Sequence, residues 1–167
     1  MAETVLRIGV LAAKDLAAAD RDGFSDPYAV IRVANKKYET AVIKKTLNPV
    51  WNTSFDIKLN EANMPPLIVI TVWDEDRFGR DFLGEITIPI KQVFARNNGG
   101  LNDGQPRAFD DPANQSAAYT LQKRTARNDV KGEIILKFGL VDNKNRSLEE
   151  LWYFWEHLCN NSMSVGR

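Results

Sequence analysis

Two short stretches of the chain are crowded with carboxylates. The first is Asp20-Arg21-Asp22-Gly23-Phe24-Ser25-Asp26-Pro27, and the second is Trp73-Asp74-Glu75-Asp76-Arg77-Phe78-Gly79-Arg80-Asp81. Neither holds a Cys or His, so soft or borderline metals such as copper and zinc lack their usual donors. Calcium suits the set, because it takes 6–8 oxygen ligands and tolerates flexible, shared carboxylates; magnesium demands a stricter octahedron and keeps its own waters. The electrostatics point the same way. Two unit charges ~4 Å apart repel by about 4 kcal/mol at an effective dielectric of ~20. Five carboxylates in one cup, Asp20, Asp26, Asp74, Asp76 and Asp81, would therefore call for a cation. Taken singly, each stretch equally fits the ordinary use of Asp in turns, where it bonds its own backbone. The second is not the twelve-residue calcium loop held between helices, for it lacks both the bidentate glutamate and the helical flanks.

The elements between these stretches decide whether they can meet. Val5-Leu6-Arg7-Ile8-Gly9-Val10-Leu11 alternates with period two, as a half-buried strand does. Further strands are expected at Tyr28–Val33, Tyr38–Ile43, Ser54–Leu59, Leu67–Trp73, Phe82–Ile88, Ala118–Leu121 and Glu133–Leu140. Short β-rich runs parted by Gly, Pro, Asn and Asp predict an all-β fold, an eight-stranded antiparallel Greek-key β-sandwich. In such a sandwich, loops remote in sequence gather at one end. One helical turn is expected after Pro89, at Ile90–Phe94, and Asn97–Ser116 reads as a long surface loop.

The acidic stretches, with the segment between them, resemble a C2 domain, the calcium- and phospholipid-binding module of protein kinase C and synaptotagmin. The matching residues are Asp20-x5-Asp26 with Pro27-Tyr28, then Lys45-Thr46-Leu47-Asn48-Pro49-Val50-Trp51-Asn52, then Trp73-Asp74-x-Asp76-Arg77-Phe78, over about residues 4–141. The resemblance implies that Asp20, Asp26, Asp74, Asp76 and Asp81 hold two or three calcium ions. It also implies the circularly permuted type II topology. The chain starts on the strand feeding the first acidic loop, and Gly132–Phe138 resembles the strand that comes first in synaptotagmin-like members. The segment Thr46–Asn52 has a structural reading of its own, an Asn-Pro turn with Trp51 anchoring the next strand.

Two departures bear on the site. The second acidic stretch has one residue fewer between Asp76 and Asp81 than synaptotagmin-like loops, which weakens the case for the fifth ligand. The strand that carries a lysine-rich face in many members reads Glu39-Thr40-Ala41 here, with Lys36, Lys37, Lys44 and Lys45 only at its edges. Near an anionic surface such lysines contribute about 1 kcal/mol each; the other reading is a solvated edge. Phe78 and Phe24 fall at loop tips beside Arg21, Arg77 and Arg80, so Phe24, Arg77, Phe78 and Arg80 are the expected membrane contacts. The partner expected from all this is an anionic, phosphatidylserine-like membrane surface.

Bulk properties exclude several alternatives. Lys+Arg and Asp+Glu number 22 each, so net charge selects no partner, and there is no basic aromatic face of the kind nucleic acid requires. The lone His157 and the absence of a nucleophile with a partner base argue against catalysis. The only cysteine, Cys159, rules out an intramolecular disulfide and fits a reducing compartment. No apolar run reaches ~18 residues, and Met1-Ala2-Glu3-Thr4 lacks the regions of a secretory signal. The expected setting is cytoplasmic, with reversible, peripheral membrane association.

Residues 1–143 are expected to form the C2 sandwich and 144–167 a helical tail or linker to a further domain. Ser147 and Glu150 have the spacing of a capping box. Leu148, Leu151, Trp152, Trp155 and Leu158 then share one face of a helix that folds over the sandwich or joins chains together. The expected function is calcium-dependent binding to anionic membranes on behalf of an attached domain. The alternative is a calcium-independent protein-interaction module of the same fold.

Overall fold

The computed structural model describes residues 4–59, 64–95 and 104–165, with side chains through residue 160. Within them the strands are β1 (Val5–Lys14), β2 (Pro27–Val33), β3 (Lys36–Glu39), β4 (Val50–Lys58), β5 (Leu67–Asp76), β6 (Gly79–Pro89), β7 (Ala117–Thr120) and β8 (Glu133–Val141). A single 3-10 turn at Ile90–Gln92 follows β6, and helix α1 spans Leu148–Val165. One sheet has the order β4-β1-β8-β7 and the other β3-β2-β5-β6, all pairs antiparallel. The first and last strands lie side by side at the centre of one sheet, the arrangement of the type II topology.

Period-two alternation builds the core. Leu6, Ile8 and Val10 of β1 and Ile134, Leu136, Phe138 and Leu140 of β8 face Ala29, Ile31 and Val33 of β2 and Ile68, Ile70 and Val72 of β5. The register also gives the sandwich two distinct ends. β1 starts with Val5 opposite Val141 and leaves at Lys14 opposite Glu133, heading into the first acidic loop. β5 and β6 meet at Asp76 and Gly79 at that same acidic end.

β3 stops at Glu39, not at the expected Ile43. Thr40 keeps alongside β2, but its side chain replaces a backbone group: Ala29 N–H donates to Thr40 Oγ1 at 2.9 Å while Thr40 N–H donates to Ala29 O at 3.0 Å. The expected loop Asn97–Ser116 is a loop where it can be seen, with one isolated bridge, but it is not free of the sandwich; residues 97–103 lie outside the described residues. From Gly104 to Ser116 the chain packs as a strap against β8, with Arg107 and Asn114 buried. Phe109 N–H donates to Leu140 O at 2.9 Å, and Leu140 N–H to Arg107 O at 2.8 Å. Asn114 Nδ2 donates to Phe138 O at 2.8 Å and to Ala108 O at 3.2 Å. The strap continues the ladder beyond β7, and Gly139 makes room for it: a Cβ there would stand 2.2 Å from Phe109 Cα.

Helix α1 opens on the expected capping box, Glu150 N–H donating to Ser147 Oγ and Ser147 N–H to Glu150 Oε1, both at 3.2 Å. It folds over its own sandwich through Leu151, Trp155, Leu158 and Cys159, and Trp155 meets Phe94 edge-to-face with centroids 5.1 Å apart. Phe94 follows the end of β6 that is remote from the acidic loops, so α1 sits at the opposite end. The single apolar face expected from spacing divides: Leu148 and Trp152 stay 42% and 41% exposed. None of the described helices is long and apolar enough to cross a membrane.

Because Trp155 is 3% exposed, Trp155→Ala is expected to lower unfolding stability by about 3–5 kcal/mol. Tyr153→Ala, at a residue 70% exposed, should stay within about 0.5 kcal/mol. Urea denaturation of the two variants measures both.

Candidate functional site

Three backbone segments build the acidic end. The first loop is stiffened from within: buried Ser25 donates through Oγ to Ala17 O at 2.9 Å and accepts from Ala19 N–H at 3.0 Å. Its turn closes through Asp20 N–H to Phe24 O and Gly23 N–H to Asp20 O, with Gly23 at φ 85°, where a residue without Cβ is favoured. The segment after β3 braces that loop from behind. Leu16 N–H donates to Leu47 O and Thr46 N–H to Ser25 O, while Asn48 Oδ1 accepts from Asp15 N–H at 3.0 Å. Trp51 Nε1–H donates to Pro27 O at 3.3 Å. The Thr46–Asn52 segment is thus a scaffold for the site, as its turn-and-anchor reading implies.

The second acidic stretch is a tight hairpin, not an open loop. Strands β5 and β6 run to its tip, leaving Arg77 and Phe78 as the turn, and Phe78 N–H donates to Asp76 Oδ1 at 2.8 Å. A bulge at Val72/Trp73 shifts the pairing so that Asp74 lies opposite Asp81. Bulges re-aim side chains beside functional sites.

Ligand oxygens of Asp20, Asp26 and Asp74 all lie within 4.8 Å of one another. Pairing of Pro27 with Asp74 sets this up, since Asp26 immediately precedes β2. Asp26 N–H donates to Asp74 Oδ1, Glu75 N–H to Asp26 O at 3.0 Å, and Lys45 N–H to Asp26 Oδ1 at 2.7 Å. Asp74 is fully buried, and its Oδ2 has no hydrogen-bond partner among the described residues. A buried, orphaned carboxylate oxygen aimed into an all-oxygen cluster is the donor set that a hard cation satisfies. The geometry therefore fits calcium.

The other two aspartates stand beside this knot. Asp76 and Asp81 are exposed and interact chiefly with each other. Partial burial, the hydrogen bond to Asp76 and repulsion from Asp76 and Asp20 raise the Asp81 carboxyl above its ordinary range.

The lysines separate. Lys44 lies at the acidic end, its Nζ 3.9 Å from Asp26 Oδ2 and 3.8 Å from Glu75 Oε2, with Lys45 next to it. Lys36 pairs with Val33 at the other end of β2, and Lys37 bonds Glu39 at 3.1 Å. The seven residues of β2 put roughly 20 Å between the two pairs. A single four-lysine head-group site is not what the structure assembles.

Among the expected membrane contacts, Phe78 projects from the hairpin tip with 94% exposure, and the Arg77 guanidinium lies 5.9 Å from its ring centre. Phe24 is 44% exposed. Arg80 turns away from the tip and stacks on Trp73, 3.8 Å from the ring centre. Glu75, as a second partner of Lys44, and Ser25, as the pin of the first loop, were not singled out by sequence. A Ser hidden between two acidic residues carries no period or motif that marks it.

The chain belongs to the C2 domain family, whose model matches residues 4–105. It is 33% identical over 140 residues to Multiple C2 and transmembrane domain-containing protein 2 of Mus musculus, covering 83% of this chain and 14% of that protein. It is 36% identical over 147 residues to a C2 and GRAM domain-containing protein of Arabidopsis thaliana, covering 86% of this chain and 13% of that one. Thus it spans well under a fifth of these relatives' length. The C2A and C2B domains of Extended-Synaptotagmin 2, solved with calcium bound, align at a TM-score of 0.59 and 26% identity, over 85% of this chain and 47% of that chain. The C2A domain of plant Extended Synaptotagmin 1 aligns at 0.62 and 18% identity over 83% and 94%, a likeness of fold alone.

Burial first, then the neighbouring charges of Asp20 and Asp26, push the Asp74 carboxyl up to about 6 from its ordinary 3.8, against the pull of the Asp26 N–H. The folded value exceeds the unfolded one, so the folded chain keeps a proton that the unfolded chain has already released. This contribution to stability is fully present below about pH 4 and is lost as pH rises through about 6. In the presence of a chelator, urea midpoints between about pH 4 and pH 7 should show a loss on the order of 1–3 kcal/mol from this group. Asp74→Asn should flatten that dependence.

Proposed function

We propose that this chain binds anionic phospholipid membranes in a calcium-dependent way and carries an attached domain to them, without catalysing a reaction. C2 domains as a family bind phospholipid membranes. The observation that carries the finer reading is the convergence of Asp20, Asp26 and Asp74, with the orphaned Asp74 Oδ2 among them, at the end where Phe78 stands free.

Asp20, Asp26 and Asp74 would form the central ligands, with Asp76 and Asp81 completing a set for two or three ions. When bound, calcium neutralises the cup and leaves coordination positions for lipid phosphate or carboxylate oxygens. The chain's own residues do the rest. Asp26 and Asp74 are held in place by the β2–β5 ladder, so the ligand set loses little freedom on binding. Phe78 presents an unpacked ring at the hairpin tip, with Arg77 beside it at head-group level. Phe24 and Lys45 flank the same end, and Arg80 supports the hairpin through Trp73. Membrane association on these terms is peripheral and reversible, within the cytoplasm. The domain boundary proposed near residue 143 leaves α1 as an appended element seated on the sandwich.

One observation favours a second reading. Lys44 already supplies positive charge to Asp26 and Glu75, so the cup is partly neutralised without metal, and a calcium-independent interaction module would need no more.

Sedimentation with phosphatidylserine and with phosphatidylcholine vesicles across a calcium titration separates the two. Binding is expected only when calcium and anionic lipid are both present. Phe78→Ala should weaken it by about 1.5–3 kcal/mol and leave calcium affinity in solution unchanged, because the ring supplies no ligand oxygen. Asp26→Asn should lose calcium first and the membrane as a consequence. Equal binding in calcium and in chelator would overturn the calcium switch and promote the second reading.

A further inference from the structure

Helix α1 has a second face that the sandwich does not use. Leu148, Glu149, Trp152, Tyr153 and Glu156 fall on it at helical spacing and, with Gln105, line a cleft of about 550 Å³. That volume lies within the range of ordinary binding sites. Trp152 and Tyr153 are 41% and 70% exposed, although each has a large apolar body and helix packing was available to bury it. Both charged residues of the cleft, Glu149 and Glu156, are exposed, and neither forms a hydrogen bond or ion pair with a described residue. Two aromatic faces bracketed by two exposed carboxylates form a surface of definite preference. Aromatic rings attract a cation through their quadrupole, carboxylates attract it by charge, and the apolar walls accept its aliphatic stem. The lining of the cleft offers no cationic side chain to an anionic head group.

Position excludes the membrane held by the acidic loops. The contact of Trp155 with Phe94 seats α1 past the end of β6 that lies away from the Phe78 hairpin. β6 has 11 residues, so roughly 35 Å of strand separates the two ends. When the hairpin meets a surface, this cleft faces away from it.

We infer that the α1 cleft docks a basic amphipathic peptide segment of a partner protein. An Arg or Lys of that segment lies over Trp152 between Glu149 and Glu156, and an apolar neighbour rests against Leu148 and Tyr153. The site is independent of the calcium reading and does not stand or fall with it.

The test follows the indole N–H signals in nitrogen-15 NMR, with the Trp152 signal identified by its loss in Trp152→Phe. The probe is a hexapeptide alternating leucine with arginine, compared with the same peptide carrying glutamate for arginine. The expected result is a saturable Trp152 shift with the basic peptide, equal in calcium and in chelator, and none with the acidic one. The double variant Glu149→Gln/Glu156→Gln, confined to exposed side chains, should weaken binding roughly three- to tenfold without changing the fold. Three outcomes would overturn the inference: no saturable shift at millimolar peptide, an equal response to the acidic peptide, or undiminished affinity in the double variant. A Trp152 shift produced instead by anionic vesicles in chelator, or by raising the protein concentration alone, would overturn it too, assigning the face to lipid or to a second copy.

Discussion

Carboxylates do not crowd together around a buried one unless something holds them there, and the β2–β5 ladder does that holding. Pairing Pro27 with Asp74 puts the backbone of Asp26 against the side chain of Asp74, and the fold has no freedom to relieve the contact without unzipping a central pair of strands. Much else at this end serves that one constraint. Ser25 pins the loop that delivers Asp20, the Thr46–Pro49 segment props it from behind, and Lys44 and the Lys45 amide offset part of the charge. A carboxyl pushed towards protonation in a folded domain is a local conflict between stability and use, and such conflicts concentrate where ligands bind.

Much of this was readable from residue order alone, and the reasons differ by element. Period two betrays strands because one face of each must be buried, so all eight were found and the end of β8 was placed within a residue. The convergence of Asp20, Asp26 and Asp74 was legible because loops of a Greek-key sandwich share an end. The finer layout was not. Asp76 and Asp81 stand beside the knot, and the register that sets Asp74 opposite Asp81 depends on the bulge at Val72/Trp73, which leaves no periodic trace. The strap at Gly104–Ser116 has the composition of a loop, yet Asn114 and the Phe109 backbone satisfy edge groups of β8 that composition cannot reveal. Likewise β3 ends early because a threonine hydroxyl stands in for a backbone acceptor, which no propensity encodes.

The molecule is strongly polarised along its strands. One end gathers acid and exposes Phe78 and, in part, Phe24; the other buries Trp155 and leaves Trp152 and Tyr153 in solvent. A helix apolar around much of its circumference can satisfy only one side by folding back, and here the capping box at Ser147 fixes where it starts. The three residues Leu151, Trp155 and Leu158 take the seam, and the division of aromatic residues between seam and solvent follows from their spacing.

Placing the first and last strands next to each other has a mechanical consequence. Val5 and Val141 are a cross-strand pair, so the chain enters β1 and leaves β8 at the same point of the same ladder. Tension applied through the flanking chain would load the β1–β8 hydrogen bonds one after another, as a zipper is opened, and not all at once, as in shear. The first teeth are reinforced: Thr4 Oγ1 donates to Asp142 Oδ1 at 2.8 Å, and Arg146 Nη1 reaches both, at 3.1 Å to Asp142 Oδ1 and 3.3 Å to Thr4 Oγ1. Those three side chains form a clasp across the point where peeling of this ladder would begin.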